Sequence, residues 1–205
     1  MVEDAALVRV MSYLKSTLDF ELTGSLSPDD IHDIEIRLFT DADWAGDASS
    51  TKSTNGLWIE LYSPSSGRFW GLTWRAWKQT CTSSSTAEAE TISLSSGLRS
   101  EGYPLQTLVG ARLGFVPKVV CQVDNLQAIA TVRKGYSKKL KHFQRTHKCS
   151  IGVVHESIRD ETCKVDIEHH PTATHKGDLF TKALARCVYV DAVKRIGLRR
   201  SSGTM

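Results

Sequence analysis

Residues 38–46 read Leu38-Phe39-Thr40-Asp41-Ala42-Asp43-Trp44-Ala45-Gly46, an apolar run that ends abruptly in carboxylates. This pattern is typical of a buried strand that emerges from the core at an active site. A carboxylate at a strand end is ready to bind a hard cation, whereas inside the core it would need a partner charge or would become neutral. Taken alone, the stretch has a simpler explanation, because Asp commonly stabilises the turn that follows a strand. The function of Asp41 therefore depends on what the rest of the chain brings to it.

The composition indicates one globular domain with a mildly basic surface. The chain has 205 residues, 40% of them hydrophobic, which is enough for one domain core but short for two full domains. The net charge of +3 indicates nucleic acid binding only if the basic residues are clustered. The five cysteines suggest no disulfide framework, and no apolar run approaches the length of a membrane span. We expect an intracellular protein, with the cytoplasm as its compartment and no membrane partner.

Hydrophobic periodicity predicts an α/β sandwich around a five-stranded mixed sheet. An amphipathic helix is predicted over residues 4–18, followed by a loop with Gly, Pro, Ser and Asp. Three antiparallel strands come next, then two helices or one helix kinked at Pro104, a buried strand, two more helices, an edge strand and a last helix. That last helix is predicted from Leu179 to Val188, with Asp178 in its first turn. The predicted strands are 34–40, 56–62, 69–74, 119–123 and 165–170.

Four carboxylates fall at the ends of four different predicted elements. Asp41 follows the first strand, Glu90 lies early on the first internal helix, Asp124 closes the fourth strand and Asp178 begins the last helix. Magnesium prefers oxygen ligands, and two such ions about 3.5–4 Å apart can hold the attacking and leaving oxygens of a phosphodiester in line. We therefore predict that these four side chains form a site for hard divalent cations.

Seven short motifs occur together, in this order, in one known family. They are Thr40-Asp41-Ala42-Asp43-Trp44-Ala45-Gly46, Ser53-Thr54-Asn55-Gly56, Thr73-Trp74, Lys78-Gln79, Ser85-Thr86-Ala87-Glu88-Ala89-Glu90, Asp124-Asn125-Leu126-Gln127-Ala128-Ile129 and Gly177-Asp178-Leu179-Phe180-Thr181-Lys182-Ala183-Leu184. Residues 36–184 thereby resemble the ribonuclease H domain of copia-type retrotransposon polyproteins. Residues 10–20 similarly resemble the last helix of the reverse transcriptase part that precedes ribonuclease H in such polyproteins.

The resemblance implies a ribonuclease H-like fold and a division of the chain into three parts. Residues 1–33 would be the N-terminal helix and linker that resemble the end of the reverse transcriptase part. Residues 34–190 would be the ribonuclease H-like domain, and residues 191–205 a tail that we expect to fray. The expected partners are an RNA–DNA hybrid and the polymerase part of the same polyprotein, whereas the sequence predicts no assembly state.

The resemblance also implies an activity, which is hydrolysis of the RNA strand of the hybrid during reverse transcription. The cofactors would be two Mg²⁺ ions, with Mn²⁺ as an alternative. Asp41 would bridge both metals, Glu90 would hold one metal and help position the hydrolytic water, Asp124 would complete that cage, and Asp178 would hold the second metal. Glu90 is chosen over Glu88 because Ala89-Glu90 matches the Ala-Glu of the wider ribonuclease H pattern. Only RNA offers a 2′-hydroxyl at the cleavage point, so selectivity should come from contacts to that group.

Several further residues have two interpretations. His170 and His175 flank the loop before Asp178, and each is either a proton shuttle or a solvated loop residue. Asp43 either touches metal or stabilises the turn. The densest basic cluster either contacts phosphates of the hybrid or forms a solvated helix face. Its members are Lys138, Lys139, Lys141, Arg145 and Lys148.

The sequence also leaves two functional alternatives open. The first is a catalytically decayed retrotransposon remnant that folds and binds nucleic acid without cleaving it. The second is a different nuclease or transferase of the same fold class. All four carboxylates are present, which argues against decay, and the hairpin-first order of strands favours ribonuclease H.

Overall fold

The described part of the chain contains seven strands and six α-helices, as given by a computed structural model of residues 2–137 and 150–201. The strands are β1 (Phe20–Leu22), β2 (Glu35–Asp43), β3 (Thr54–Tyr62), β4 (Phe69–Lys78), β5 (Lys118–Val123), β6 (Val165–His169) and β7 (Leu198–Arg200). The helices are α1 (Val2–Ser16), α2 (Thr86–Gly97), α3 (Tyr103–Leu113), α4 (Leu126–Lys134), α5 (Ile151–Arg159) and α6 (Arg186–Arg195). No helix in these ranges is long and apolar enough to cross a membrane.

Five of the strands form a central mixed sheet in the spatial order β4-β3-β2-β5-β6. β2, β3 and β4 are consecutive and antiparallel, whereas β5 pairs parallel to β2 and β6 pairs parallel to β5. The apolar run of β5 is buried because it lies between two parallel neighbours with helices packed against it. This topology confirms the predicted α/β architecture and its ribonuclease H-like fold.

The sheet separates two apolar clusters. Neighbouring residues on a strand point to opposite faces, so Leu38 and Phe39 enter different clusters. Leu38 packs with buried residues of α2, α4 and α5, which form the larger cluster. Phe39 packs with Trp58 and with Ile196 from the C-terminal segment. Both faces of β2 are therefore covered, and the strand is held rigidly up to its carboxyl end.

Several helices begin or end at the residues that the sequence predicted, because each of these ends has a local capping signal. Ser85 caps α2 by accepting a hydrogen bond from a backbone N–H at 3.2 Å. Asn125 caps α4 by accepting two such bonds at 3.0 Å. Gly135 ends α4 with φ +78, a conformation that glycine adopts without strain. Pro104 lies in the first turn of α3, directly after a π-helical segment, Leu98–Gly102, that joins α2 to α3 without a break, so residues 86–113 are helical throughout.

The prediction of a last helix from Leu179 to Val188 is wrong. Residues 176–180 form a short 3-10 helix, and α6 begins only at Arg186. Leu179 and Phe180 are apolar because they pack against the cluster of Phe39 and Trp58, not because they continue a helical face. Asp178 therefore lies in a tight turn rather than in the first turn of a long helix.

The tail predicted to fray is ordered as far as it is described. α6 extends to Arg195, and β7 pairs antiparallel with β1, with Leu198 opposite Leu22. The hydroxyl groups of Tyr13 on α1 and Tyr189 on α6 lie 2.8 Å apart, in a second contact between the two ends. Backbone pairing with a distant strand stabilises this tail, and such pairing has no local sequence signal. The division at residues 33 and 190 stays a prediction.

Candidate metal centre

Three carboxylates meet at one edge of the sheet. β2 and β5 run parallel, so their carboxyl ends lie together, which brings Asp41 near the end of β2 close to Asp124 just after β5. Asp178 reaches the same place from the 3-10 helix Lys176–Phe180. One oxygen from each of these three side chains lies within 4.8 Å of the others. The sequence prediction that these acids converge is confirmed for this trio.

A glycine on the neighbouring strand lets the segment that carries Asp178 approach Asp41. Gly56 lies opposite Asp41 in the β2–β3 register. A Cβ atom at position 56 would lie 2.5 Å from Cγ2 of Thr181 and 2.8 Å from the backbone oxygen of Gly177, closer than real Cβ contacts. The absence of a side chain at position 56 is therefore part of how the site is built.

Glu90 lies beside this trio and is buried on α2. Its Oε1 accepts a hydrogen bond from the backbone N–H of Ala42 at 3.3 Å. Its Oε2 is buried and has no hydrogen-bond partner among the described residues. Burial, followed by the charges of Asp41 and Asp124, raises the pKa of Glu90 to about 9. Burial and the negative charges of its neighbours favour the neutral form of this carboxyl group, and the N–H of Ala42 offsets them only in part.

Two residues that the sequence analysis assigned no function complete the surroundings of the acids. The ammonium group of Lys182 lies 3.1 Å from Oδ1 of Asp41 and 3.0 Å from Oδ1 of Asp178. The hydroxyl group of Thr181 donates a hydrogen bond to Oδ2 of Asp41. Burial raises the pKa of Asp178, the charge of Asp41 raises it further, and Lys182 opposes both. The only sequence signal for these contacts is that Lys182 follows Asp178 by four residues within the last motif.

The trio, with Glu90 beside it, fits a hard divalent cation. The ligand atoms that group together among the described residues are carboxylate oxygens, which hard cations prefer. A buried carboxylate oxygen without a partner is costly, and a cation beside Glu90 would satisfy it and relieve the repulsion from its neighbours. The unpartnered oxygen of Glu90 and the carboxylate oxygens of the trio therefore both indicate a hard cation as the ligand.

Two other acids lie near these residues. Glu88 accepts a hydrogen bond from the backbone N–H of Ser84 at 2.8 Å, next to the start of α2. Asp43 lies outside the carboxylate trio, and its backbone oxygen accepts a hydrogen bond from Gly46 at 3.4 Å in the turn after β2. The choice of Glu90 over Glu88 stays a prediction, and so does the choice between metal contact and turn stabilisation for the side chain of Asp43.

The two histidines differ in their surroundings. His175 is buried: its Nε2–H donates to the backbone oxygen of Gln122 at 3.0 Å, and its Nδ1 accepts from the N–H of Gly177 at 3.2 Å. The burial of His175 contradicts the prediction of a solvated loop residue, whereas a shuttle function for it stays a prediction. His170 is half-buried, and burial followed by the proximity of His175 lowers its pKa. A shuttle function for His170 stays a prediction.

The predicted nucleic-acid-binding cluster lies outside the described residues. Its five members fall between residues 138 and 149, whereas the structure describes residues 2–137 and 150–201. Contact of this cluster with phosphates stays a prediction. Its members are Lys138, Lys139, Lys141, Arg145 and Lys148.

Comparison of sequences relates the chain to transposon polyproteins. The chain is 26% identical over 199 and 201 residues to the retrovirus-related Pol polyproteins from transposons RE2 and RE1 of Arabidopsis thaliana. These matches cover 94% and 95% of the chain but only 12% of each polyprotein. A shorter match, 34% identical over 94 residues, is to secreted RxLR effector protein 161 of Plasmopara viticola and covers 44% of the chain and 56% of that protein. No family model matches. The predicted resemblance to a retrotransposon polyprotein is confirmed.

Comparison of structures finds ribonuclease H domains at low sequence identity. LC11-RNase H1, isolated from compost by a metagenomic approach, has a TM-score of 0.49 and 14% identity, over 72% of this chain and 92% of that one. The N-terminal RNase H domain of rv2228c from Mycobacterium tuberculosis has a TM-score of 0.44 and 12% identity, over 78% and 97%.

Proposed function

We propose that this chain, which is related to a part of transposon Pol polyproteins, hydrolyses the RNA strand of RNA–DNA hybrids endonucleolytically during reverse transcription. The observation that carries the proposal is the meeting of Asp41, Asp124 and Asp178 beside a buried Glu90 that has an unsatisfied oxygen. Such a cluster of acids is destabilising by itself, and it is explained by the divalent cations that phosphodiester hydrolysis uses.

The proposed mechanism uses two divalent ions, Mg²⁺ or Mn²⁺. When bound, the ions supply a water molecule of lowered pKa and stabilise the charge that develops on the leaving oxygen. Asp41 would be held between the two ions, because its charge acts on both Glu90 and Asp178. Glu90 and Asp124 would hold one ion, and Asp178 would hold the other.

The chain itself contributes orientation of these carboxylates. Asp41 is fixed by the pairing of β2 with β3, where it lies opposite Gly56, and by the hydroxyl group of Thr181. Asp124 is oriented by Thr172, whose hydroxyl donates to Oδ2 at 2.8 Å. Because ligands held on rigid strands need little reorganisation, they favour a defined metal geometry over a loose acidic surface.

The proposed partners are the hybrid and the polymerase part of the same polyprotein. Selectivity for RNA would arise from contacts to the 2′-hydroxyl, which DNA lacks. A polymerase partner is supported by α1, whose apolar side chains at Leu7, Met11 and Leu14 are exposed at 61%, 57% and 50% and recur on one helical face.

A hybrid with a labelled RNA strand tests the proposal. We expect Mg²⁺-dependent shortening of the RNA in an RNA–DNA hybrid and no cleavage of the DNA strand, of duplex RNA or of duplex DNA. The Asp41→Asn variant serves as the inactive control, and it must retain the circular dichroism spectrum of the parent. Tight binding of the hybrid without cleavage would contradict the proposed activity and favour the decayed remnant. Cleavage of duplex DNA would favour a different nuclease of the same fold.

A further inference from the structure

Lys182 places a positive charge inside the carboxylate cluster. Its ammonium group contacts Oδ1 of Asp41 at 3.1 Å and Oδ1 of Asp178 at 3.0 Å. The side chain of Asp41 is 1% exposed and that of Asp178 is 13% exposed, whereas that of Lys182 is 35% exposed. The lysine therefore reaches the acids from the solvent side, and its contacts bridge two carboxylates that would otherwise repel each other.

The backbone fixes where this lysine can go. The N–H groups of Thr181 and Lys182 both donate to the backbone oxygen of Asp178, at 3.3 and 3.2 Å. As a result, consecutive side chains engage the two oxygens of Asp41: Thr181 contacts Oδ2 and Lys182 contacts Oδ1. A segment that is anchored in this way keeps Lys182 next to the site even if its side chain moves.

The position that Lys182 occupies is one that a metal ion would need. Oxygens of Asp41 and Asp178 belong to the trio that could hold a cation, and an ammonium group between them competes for the same lone pairs. The flexible four-carbon stem of lysine allows the charge to swing into solvent while the backbone stays in place. The displaced ammonium group would be solvated at little cost because the side chain is already partly exposed.

We propose that Lys182 is a tethered counter-ion of the metal centre. It holds the carboxylates of Asp41 and Asp178 together before a divalent ion arrives, and it must withdraw from them when an ion binds between them. The lysine thus sets the metal concentration at which this position fills. The inference rests on the proposed function, since it takes these carboxylates to be metal ligands.

Binding of Mn²⁺ to the full chain without nucleic acid tests the inference. Free Mn²⁺ is followed by its electron paramagnetic resonance signal, and thermal unfolding is followed by circular dichroism with EDTA or with Mn²⁺. We expect Lys182→Met to lower the half-saturating Mn²⁺ concentration about tenfold, which corresponds to about 1.4 kcal/mol of binding free energy. The same variant should melt at a lower temperature than the parent in EDTA and gain more from Mn²⁺.

Three variants provide the controls. Lys118→Met removes the same charge and also breaks a lysine–carboxylate pair, to Asp166 at 2.9 Å, but far from the site in the fold, so its Mn²⁺ affinity should match that of the parent. Lys182→Gln should behave like Lys182→Met and serves if the latter fails to fold. Asp41→Asn should lose saturable binding.

The outcomes separate the two proposals. The parent chain should bind Mn²⁺ saturably, and Asp41→Asn should remove this binding. If it does not, the proposed metal centre is wrong, and so is the proposed counter-ion function of Lys182. If the parent binds Mn²⁺ and both Lys182 variants bind it equally or more weakly, the metal centre stands and the counter-ion function of Lys182 is overturned.

Discussion

Glu60 and Glu90 are both buried carboxyl groups, but their surroundings differ in a way that separates structure from function. Oε2 of Glu60 accepts hydrogen bonds from the indole N–H of Trp58 at 2.6 Å and from the ammonium group of Lys176 at 2.5 Å. Oε2 of Glu90 has no hydrogen-bond partner in the part of the chain that the structure describes, and the charges that raise the pKa of Glu90 are those of Asp41 and Asp124. A buried acid that has its donors inside the fold is satisfied by that fold, and removal of one partner is destabilising. A buried acid that faces other acids is repelled by them, and only a bound cation would offset this repulsion.

The lysines near the two acids differ in how firmly their side chains are held. Lys176 is buried against Phe69, with its ammonium group 3.8 Å from the ring centre, and burial lowers its pKa. It cannot leave Glu60 without losing this packing. Lys182 is partly exposed and can leave its carboxylates, so the acidic cluster retains access to ions. Two lysines of one short segment, Lys176 and Lys182, thereby serve opposite purposes.

The largest effect is expected when the metal-facing acid on β2 is changed. We expect Asp41→Asn to lower the rate of RNA cleavage about a hundred- to a thousandfold, because one electrostatic group at a reacting centre is commonly worth a factor of 10²–10³. The fold should persist, because the amide keeps an oxygen that can accept the hydrogen bond from Thr181. Cleavage of a labelled hybrid measures the rate. Asp43→Asn, two residues along the same strand and outside the trio, is the matched control and should remain active.

Breaking the Glu60–Lys176 pair should act on stability instead. We expect Glu60→Gln to lower the free energy of unfolding by about 3–5 kcal/mol, because it leaves a lysine buried without its carboxylate. The double variant Glu60→Leu with Lys176→Met removes both charges and should recover much of this loss. Denaturant titration measures each value. If Glu60→Gln were as stable as the parent, the contrast between the two buried acids would fail.

Much of the metal centre could be predicted from the sequence, because its acids lie at element ends with strong local signals. Asp41 and Asp124 follow runs of β-forming residues, and these runs form strands that pair in parallel. Glu90 lies on a helix whose N-cap, Ser85, is indicated by its spacing from Glu88. Asp178 was predicted at the site, but on the wrong element.

The parts that escaped prediction depend on contacts between residues distant in sequence. Lys182 and Thr181 reach Asp41 only because Leu179 and Phe180 pack against the sheet and hold their segment in a tight turn. The pairing of β1 with β7 joins residues near both ends of the chain. Periodicity describes which face of an element is apolar, but it does not describe which distant residue meets that face.

The pH dependence of stability should distinguish Glu90 from an ordinary glutamate. Its pKa is about 9 in the fold against an ordinary value of 4.5, so its contribution to stability is fully present below pH 4.5 and is lost as the pH rises towards 9. In EDTA, the parent should lose at least about 1 kcal/mol more than Glu90→Gln between pH 5 and 9, since one pKa unit corresponds to 1.36 kcal/mol. Urea titrations at several pH values give the difference. Equal slopes for the two proteins would contradict the burial of Glu90 among acids.

The smallest effect is expected from the residue that orients Asp124. Thr172 donates its hydroxyl hydrogen to Oδ2 of Asp124 at 2.8 Å and is exposed. Thr172→Val should weaken Mn²⁺ binding about tenfold, the lower end of what partners of metal ligands contribute. Its free energy of unfolding should change by no more than about 0.5 kcal/mol, as is usual for surface positions. Thr174→Val, in the same turn but bonded to His170 rather than to an acid, is the matched control and should leave Mn²⁺ affinity unchanged. This pattern is the reverse of that expected for Glu60, where stability falls because the pair is structural. If Thr172→Val lowered stability and left Mn²⁺ affinity intact, Asp124 would belong with Glu60 as a structural acid, and the metal centre would lose one of its ligands.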